Sequence, residues 1–231
     1  MQKVIVITGA SGGLGECMAK YFSSKGYIVY GTSRSIIEGT RNYISIKMDI
    51  TDKNSVNQAV NTIIEQHNKI DVLINNAGLG IAGPLEYLEL NDVENVLNTN
   101  VTGVMRVCQA VLPIMRANRK GLIINISSIG SETGLPYRGL YSASKAAVDR
   151  LTEAMRVELA PYGIQACYLQ PGGIQTNINK NRIKTSLPAD AVYKKSFEKT
   201  YDLIDESVNK GLNPDVFGPI IEKIIHSKNV K

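Results

Sequence analysis

Six apolar runs of strand length alternate along the chain with segments of helical pattern, and this alternation restricts the fold more than any other feature. The runs cover residues 3–8, 28–32, 43–48, 71–75, 122–127 and 165–170. Most of them are apolar at nearly every position, as expected when helices cover both faces of a parallel sheet. The pattern therefore predicts an α/β fold with a doubly wound parallel sheet.

The chain of 231 residues is the right length for one domain, because no repeat, low-complexity tract or linker interrupts the alternation. Residues 174–214 depart from it. They are polar at first, and a weakly patterned helix follows around 189–210. This segment comes after the last predicted strand, at the sheet edge where open α/β folds bind ligands. We predict a single domain over 1–231 with a substrate lid at about 174–214, a passive insertion being the alternative.

Composition excludes several function classes. The net charge is +5, but acidic and basic residues alternate from residue 177 onward, which is typical of a solvated surface rather than a nucleic-acid site. No apolar stretch is long enough to span a membrane, and the chain passes from Met1 into a strand without a signal-like segment. The widely spaced Cys17, Cys108 and Cys167 predict buried thiols, not a metal site or disulfides. We expect a cytoplasmic protein without nucleic-acid or membrane partners.

The first predicted strand runs into a glycine-rich turn, and a helix follows from about Leu14. The turn reads Thr8-Gly9-Ala10-Ser11-Gly12-Gly13-Leu14-Gly15. Glycines allow a tight turn and a close approach of the backbone to a pyrophosphate, while the helix N-terminus supplies free N–H groups. Its place between strand and helix predicts dinucleotide binding.

Two other motifs compete for this turn. Gly9-Ala10-Ser11-Gly12-Gly13 also matches the nucleophile elbow of hydrolases, which needs a histidine downstream. Only His226 is available there, in a lysine-flanked segment near the C-terminus. A phosphate-binding P-loop is excluded, because no Lys-Ser or Lys-Thr follows the glycines.

The end of the second strand favours NADP over NAD. It reads Gly31-Thr32-Ser33-Arg34, and no carboxylate follows until Glu38. A carboxylate here would bind the ribose 2′-hydroxyl of NAD, whereas an arginine pairs with the 2′-phosphate of NADP. The alternative is that Arg34 is an ordinary surface residue.

Tyr141 and Lys145 are four residues apart, which places a phenol and an ammonium on one helix face. A cation close to a tyrosine stabilises the phenolate and so equips it for acid–base catalysis. The serines Ser127 and Ser128 end the fifth strand, where a hydroxyl can hydrogen-bond a reacting carbonyl.

Asn100 falls along a helical apolar stripe, so its amide is either satisfied by backbone groups or part of a polar network. The stripe comprises Val93, Val96, Leu97, Val101, Val104, Met105, Cys108 and Leu112.

Together these residues resemble the short-chain dehydrogenase/reductase family, in its shorter single-domain branch. The resemblance covers about residues 3–176, and its motifs occur in family order: Thr8-Gly9-x-x-x-Gly13-x-Gly15, Asp49, Asn75-Asn76-Ala77-Gly78, Asn100, the strand-five serine, Tyr141-x-x-x-Lys145, and Pro171-Gly172 with Thr176. It implies a Rossmann-like sheet and hydride transfer between NADP(H) and a carbonyl or alcohol substrate.

The resemblance also implies roles for individual residues. Tyr141 would be the acid/base, Lys145 its partner and a ribose ligand, and Asn100 the holder of a water linked to Lys145. Ser128, thirteen positions before Tyr141, would polarise the carbonyl in preference to Ser127. Ser33 lies where NAD-preferring relatives carry Asp. The residues implied to bind the cofactor are Gly9, Ser11, Gly13, Leu14, Gly15, Ser33, Arg34, Asp49, Ile50, Asn76, Ala77, Gly78, Tyr141, Lys145, Pro171, Gly172, Ile174 and Thr176.

One departure from the family pattern concerns the C-terminus. Members usually have a seventh strand after the last helix, and only residues 227–231 remain there, without a strand pattern. We therefore expect six main strands. The family's other interface, on the helices that carry Asn100 and Tyr141, predicts a homodimer.

Two alternative functions stay open. A nucleotide-sugar epimerase or dehydratase shares Tyr-x-x-x-Lys but usually has an additional substrate domain. A catalytically silent dinucleotide-binding regulator typically lacks the tyrosine or the lysine.

Apolar lid residues are compatible with a hydrophobic ketone or secondary alcohol, or with simple packing of the lid. These residues are Ile174, Ile178, Ile183, Leu187, Tyr193, Phe197 and Tyr201.

Overall fold

The computed structural model describes residues 2–36, 42–176 and 178–230, and only the backbone of residues 179 and 180. Two residues named from the sequence, Met1 and Glu38, lie outside the described residues.

Six parallel strands form the central sheet in the order β3-β2-β1-β4-β6-β7. Their bounds differ from the predicted runs by at most one residue at either end, which confirms the predicted doubly wound α/β fold. The strands are β1 (Val4–Thr8), β2 (Ile28–Ser33), β3 (Ile44–Lys47), β4 (Val72–Asn75), β6 (Gly121–Ile126) and β7 (Ile164–Leu169). A separate parallel pair joins β5 (Ile81–Ala82) to β8 (Ile183–Lys184).

Helices cover both faces of the sheet. They are α1 (Gly13–Ser24), α2 (Lys53–His67), α3 (Leu90–Leu97), α4 (Gly103–Ala117), α5 (Gly139–Leu159), α6 (Ile178–Asn181), α7 (Lys194–Asn209) and α8 (Phe217–His226). One turn of π-helix, Asn98–Thr102, joins α3 to α4. The helix predicted around 189–210 begins later, at Lys194.

The core has two layers, one on each side of the sheet. Along β1, Val4 and Val6 pack towards α2 and α4, whereas Ile5 and Ile7 pack towards α1 and α8. Successive strand side chains point to opposite faces. Both faces are therefore buried, which is why the strands are apolar at almost every position.

The predicted apolar stripe through Asn100 is wrong at two positions. Val96, Val104 and Cys108 are buried, but Leu97 and Met105 are 37% and 40% exposed. The π turn shifts the register between α3 and α4, so a stripe drawn with a constant helical period does not follow one buried face.

Three features of the described ranges bear on other functions. None of their helices combines the length and apolar character needed to cross a bilayer. No group of three histidine, cysteine or acidic side chains in those ranges could hold a metal ion. Cys17, Cys108 and Cys167 are all free thiols. Cys108 and Cys167 are buried as predicted, whereas Cys17 on α1 is partly exposed, so the prediction of a buried thiol is wrong there.

Candidate active site

A cavity of about 990 Å³ opens at the carboxyl edge of the sheet. It runs from the end of β2 to α5, and residues of the predicted lid form part of its wall. Tyr141, Lys145, Ser127 and Ser128 line it. The predicted cofactor residues on the same wall are Gly9, Ser11, Gly13, Leu14, Ser33, Arg34, Asp49, Ile50, Asn76, Ala77, Gly78, Pro171, Gly172, Ile174 and Thr176.

The glycine turn has the backbone that its sequence predicts. Gly9 and Gly13 have φ angles of +69° and +55°, in the left-handed region that favours glycine. A Cβ at Gly9 would lie 2.8 Å from the Cα of Ala77. Asn76 Nδ2 holds the turn by donating to the carbonyl oxygens of Thr8 (2.9 Å) and Gly9 (3.2 Å).

The same turn fits a pyrophosphate. A Cβ at Gly12 would meet nothing within 4 Å, so the backbone there is open to the cavity. The turn leads directly into α1, whose first N–H groups lack helical acceptors and attract anions.

Gly15 differs from the other predicted cofactor residues, because it does not lie on the described cavity wall. A Cβ there would be 2.3 Å from the carbonyl oxygen of Gly9. Gly15 therefore allows α1 to pack closely under the turn.

Charged residues meet at the far end of the cavity, beyond β2 and β3. Asp49 Oδ1 accepts hydrogen bonds from the Thr51 backbone N–H (2.9 Å) and hydroxyl (2.7 Å). Burial alone would raise the pKa of Asp49, but these bonds and the charges of Arg34 and Arg106 outweigh it and leave the pKa below its ordinary value. Arg34 is exposed on the cavity rim. The Ser33 hydroxyl donates to the carbonyl of Ser35.

Tyr141 and Lys145 lie on the buried face of α5, each 6% exposed. The ammonium nitrogen of Lys145 is 6.0 Å from the centroid of the Tyr141 ring. It donates a 2.8 Å hydrogen bond to the main-chain oxygen of Ile126, the last residue of β6. The helix thus places both groups at the end of the strand that precedes the two serines.

The two serines differ in their hydrogen bonds. Ser127 Oγ donates to the main-chain oxygen of Lys145 at 3.4 Å. Ser128 Oγ accepts from the backbone N–H of Gly130 at 3.1 Å. Within the described chain no bond uses the Ser128 hydroxyl as a donor, which leaves its hydrogen available for a substrate oxygen.

Asn100 lies behind the cavity wall rather than on it, and it is 1% exposed. Its Oδ1 accepts from the backbone N–H of Leu79 at 2.7 Å, and its Nδ2 donates to the Leu79 oxygen (2.9 Å) and to Ser144 Oγ (3.0 Å). Both sequence interpretations of this amide are therefore met, since backbone and side-chain groups satisfy it together. The water implied by the family resemblance stays a prediction.

The hydrolase alternative lacks its histidine. His226 lies on α8, where its Nε2 is 2.7 Å from the Tyr27 hydroxyl. Neither His67 nor His226 lines the cavity that contains Ser11.

Comparison with known proteins decides the family. Residues 3–186 match the model of the short chain dehydrogenases. The chain belongs to the short-chain dehydrogenase/reductase family. It is therefore an oxidoreductase of a family that uses nicotinamide cofactors and acts on small molecules.

Individual relatives of this dehydrogenase cover nearly its whole length. It is 44% identical to a 3-ketodihydrosphingosine reductase of Bacteroides thetaiotaomicron, over 98% of this chain and 85% of the relative. The structure of ElxO with NADP bound is 30% identical, with a TM-score of 0.82, covering 99% of this chain and 93% of that one. The structure of a 3-ketoacyl-(acyl-carrier-protein) reductase from Brucella melitensis complexed with NADH is 27% identical, with a TM-score of 0.82, covering 98% and 91%.

Two arginines of the dehydrogenase, Arg138 and Arg182, also line the cavity, and sequence reasoning missed both. The guanidinium carbon of Arg138 lies 4.4 Å from the centroid of the Tyr141 ring. Arg182, in the predicted lid, pairs with Asp205 at 2.7 Å. Burial lowers the pKa of Arg138, and the charge of Arg182 lowers it further, while Tyr141 acts in the opposite direction. The position of Arg138, three residues before Tyr141 and directly before α5, was the available signal.

Proposed function

We propose that this dehydrogenase transfers a hydride between NADP(H) and a carbonyl or alcohol substrate. The substrate that we propose is a hydrophobic ketone or the matching secondary alcohol. The observation that carries the proposal is that Tyr141, Lys145 and Ser128 share one cavity with the glycine turn. A dinucleotide held at the turn and a substrate held at Tyr141 would therefore meet within one site.

The proposal of NADP rather than NAD rests on the residues that follow β2 and β3. Arg34 on the cavity rim supplies a guanidinium that pairs with a 2′-phosphate, and Ser33 lies beside it. The only acidic residue on the described wall is Asp49. It follows β3, and its side chain is already engaged by Thr51. Because solved relatives carry NADP in one case and NADH in another, the choice rests on these residues.

The chain's own residues perform the proton chemistry. The bound nicotinamide would supply or accept the hydride. The Tyr141 phenol donates a proton to the substrate oxygen during reduction and accepts it during oxidation. Lys145 stabilises the phenolate form with its ammonium. The Ser128 hydroxyl donates a hydrogen bond to the same oxygen as negative charge develops there.

The proposed lid at about 174–214 supports a hydrophobic substrate. Its α6 and α7 place apolar side chains on the cavity wall, namely Ile178, Leu203, Ile204 and Val208. The 44% identical relative is named as a reductase of a long-chain ketone, 3-ketodihydrosphingosine, which agrees with an apolar binding surface.

We also propose that the protein is a cytoplasmic homodimer. Three free thiols suit a reducing compartment. On the outer surface of α4 and α5, Met105 and Val157 are 40% and 75% exposed, and exposed apolar residues of this kind are covered in symmetric interfaces.

The test is steady-state consumption of NADPH and NADH with ketones of increasing chain length. We expect kcat/KM with NADPH to be at least about tenfold higher than with NADH, because one charge-assisted contact to the 2′-phosphate provides a difference of that size. NADPH binding without consumption of any ketone would instead identify a silent dinucleotide-binding protein. Conversion of a nucleotide sugar without net use of NADPH would identify an epimerase or dehydratase.

A further inference from the structure

Arg138 is held at the reacting end of the cavity, beside the proposed acid/base. It is the residue that precedes α5, and its guanidinium stacks on the Tyr141 ring. Its backbone is fixed by bonds from Arg138 N to the Leu135 oxygen (3.0 Å) and from Ser142 N to the Arg138 oxygen (2.9 Å). The side chain therefore leaves a rigid point of the fold.

Arg138 lacks the counter-charge that Arg182 has. Arg182 is 2% exposed in its side chain and pairs with Asp205. Among the described residues no ion pair includes Arg138, and its buried Nε has no hydrogen-bond partner. The Arg138 side chain lines the cavity and is partly exposed there, so a ligand in the cavity can supply the negative charge that its guanidinium lacks among the described residues.

The charge of the cavity wall points the same way. The described wall carries Arg34, Arg138, Lys145 and Arg182, and its only acid, Asp49, lies at the opposite end. The phosphates of the dinucleotide are expected at the glycine turn and at Arg34. They would not neutralise Arg138, which lies beside Tyr141.

We propose that Arg138 binds an anionic group of the substrate, a carboxylate or phosphate within a few bonds of the reacting carbonyl. A guanidinium offers two parallel N–H groups to an oxyanion, which would orient the ketone towards Tyr141 and Ser128. This inference rests on the proposed carbonyl chemistry and narrows its substrates to ketones with an anionic group at one end and an apolar chain at the other.

The test is calorimetric titration of the full chain, saturated with the nicotinamide cofactor that it binds. The probes are decanoate, decyl phosphate, decanol and decylammonium, which share one chain and differ in charge. We expect at least one anion to bind about tenfold or more tightly than decanol, because a charge-assisted hydrogen bond is roughly twice as strong as a neutral one. The stronger of the two anions identifies the group as a carboxylate or a phosphate.

Variants separate an anion site from simple packing on Tyr141. Arg138→Gln should weaken the preferred anion about tenfold and leave decanol within about twofold, while Arg138→Lys should retain part of the preference. Arg150→Gln removes a charge from α5 at an exposed site that pairs with Glu153. This control variant should change neither the affinity for the anion nor the affinity for decanol. Equal binding of decanol and the anions by the wild type, or equal loss of all probes in Arg138→Gln, would overturn the inference.

Turnover distinguishes the two proposals. If neutral ketones are reduced but no anion is preferred, the carbonyl chemistry stands and the anion subsite fails. If anions bind through Arg138 but neither neutral nor anionic ketones are reduced, the subsite stands and the proposed reaction fails.

Discussion

Lys145 Nζ donates a 2.8 Å hydrogen bond to the main-chain oxygen of Ile126. This bond fastens the middle of the catalytic face of α5 to the end of β6. It also fixes the ammonium 6.0 Å from the Tyr141 ring centroid. The strand that directly precedes the two serines therefore positions the charge that supports the tyrosine.

Lys145→Met should impair turnover and cofactor binding together. The substitution keeps the apolar length of the side chain but removes the charge and leaves the Ile126 oxygen without its donor. We expect kcat to fall by about a hundredfold or more, within the range of acid–base contributions, and the KM for NADPH to rise. Lys53→Met, at the exposed start of α2, is the matched control. An unchanged kcat in Lys145→Met would contradict the role given to this ammonium.

Arg34→Gln should change cofactor choice without changing the fold. Loss of the guanidinium should weaken NADPH binding about tenfold and leave NADH binding within about twofold, because only NADPH carries the 2′-phosphate that Arg34 is proposed to bind. Fluorescence titration with both cofactors measures this, with Arg150→Gln as the control. Equal weakening of both cofactors would show that Arg34 does not read the 2′-phosphate.

Asn100→Leu should destabilise the protein. The change removes three hydrogen bonds, of which the bond to Ser144 Oγ is buried, and leaves both partly buried backbone groups of Leu79 unpaired. Unsatisfied buried groups cost about 1–3 kcal/mol each, so the free energy of unfolding should fall by about 2–5 kcal/mol. Denaturant titration checks this against Asn118→Leu, which removes one exposed bond to the Asn68 oxygen and should cost much less. Similar losses in the two variants would argue against the buried network.

Gly9→Ala and Gly12→Ala form a matched pair in one turn. Gly9 has a φ of +69° and its added Cβ would lie 2.8 Å from Ala77 Cα, whereas Gly12 is extended and has open space around it. The left-handed conformation alone costs an L-residue about 1–2 kcal/mol, and the contact adds to it. Gly9→Ala should therefore lower the melting temperature clearly and Gly12→Ala hardly at all. The reverse order would contradict the described turn.

The sheet could be predicted from sequence because its strands are buried on both faces. Continuous apolar runs such as 71–75 and 122–127 then differ clearly from the amphipathic helices between them. The glycine turn, Tyr141 and Lys145 could also be placed, since each motif is local and its spacing fixes its geometry. Tyr141, Lys145 and most of the turn line the cavity, namely Gly9, Ser11, Gly12, Gly13 and Leu14, while Gly15 supports the turn from behind.

Features that depend on contacts distant in the chain could not be predicted. The β5–β8 pair joins Ile81 to Ile183, more than a hundred residues away. Arg138 is close in sequence to Tyr141, yet nothing local shows that its guanidinium stacks on that ring while its Nε stays without a partner. The π turn has no spacing signature either, so the exposure of Leu97 and Met105 was not foreseen.

The most direct test of the central claim follows the hydrogen that is transferred. The full chain is incubated with a reducible ketone and NADPH that carries deuterium at both C4 positions, and the alcohol is examined by mass spectrometry. Wild type and Tyr168→Phe should each give an alcohol with one deuterium on the carbinol carbon. Tyr168 lies off the described cavity wall, with its hydroxyl 3.2 Å from Glu153. Tyr141→Phe should still bind NADPH but form alcohol at least about a hundredfold more slowly. Alcohol without deuterium, or equal rates in Tyr141→Phe and the wild type, would contradict hydride transfer assisted by Tyr141.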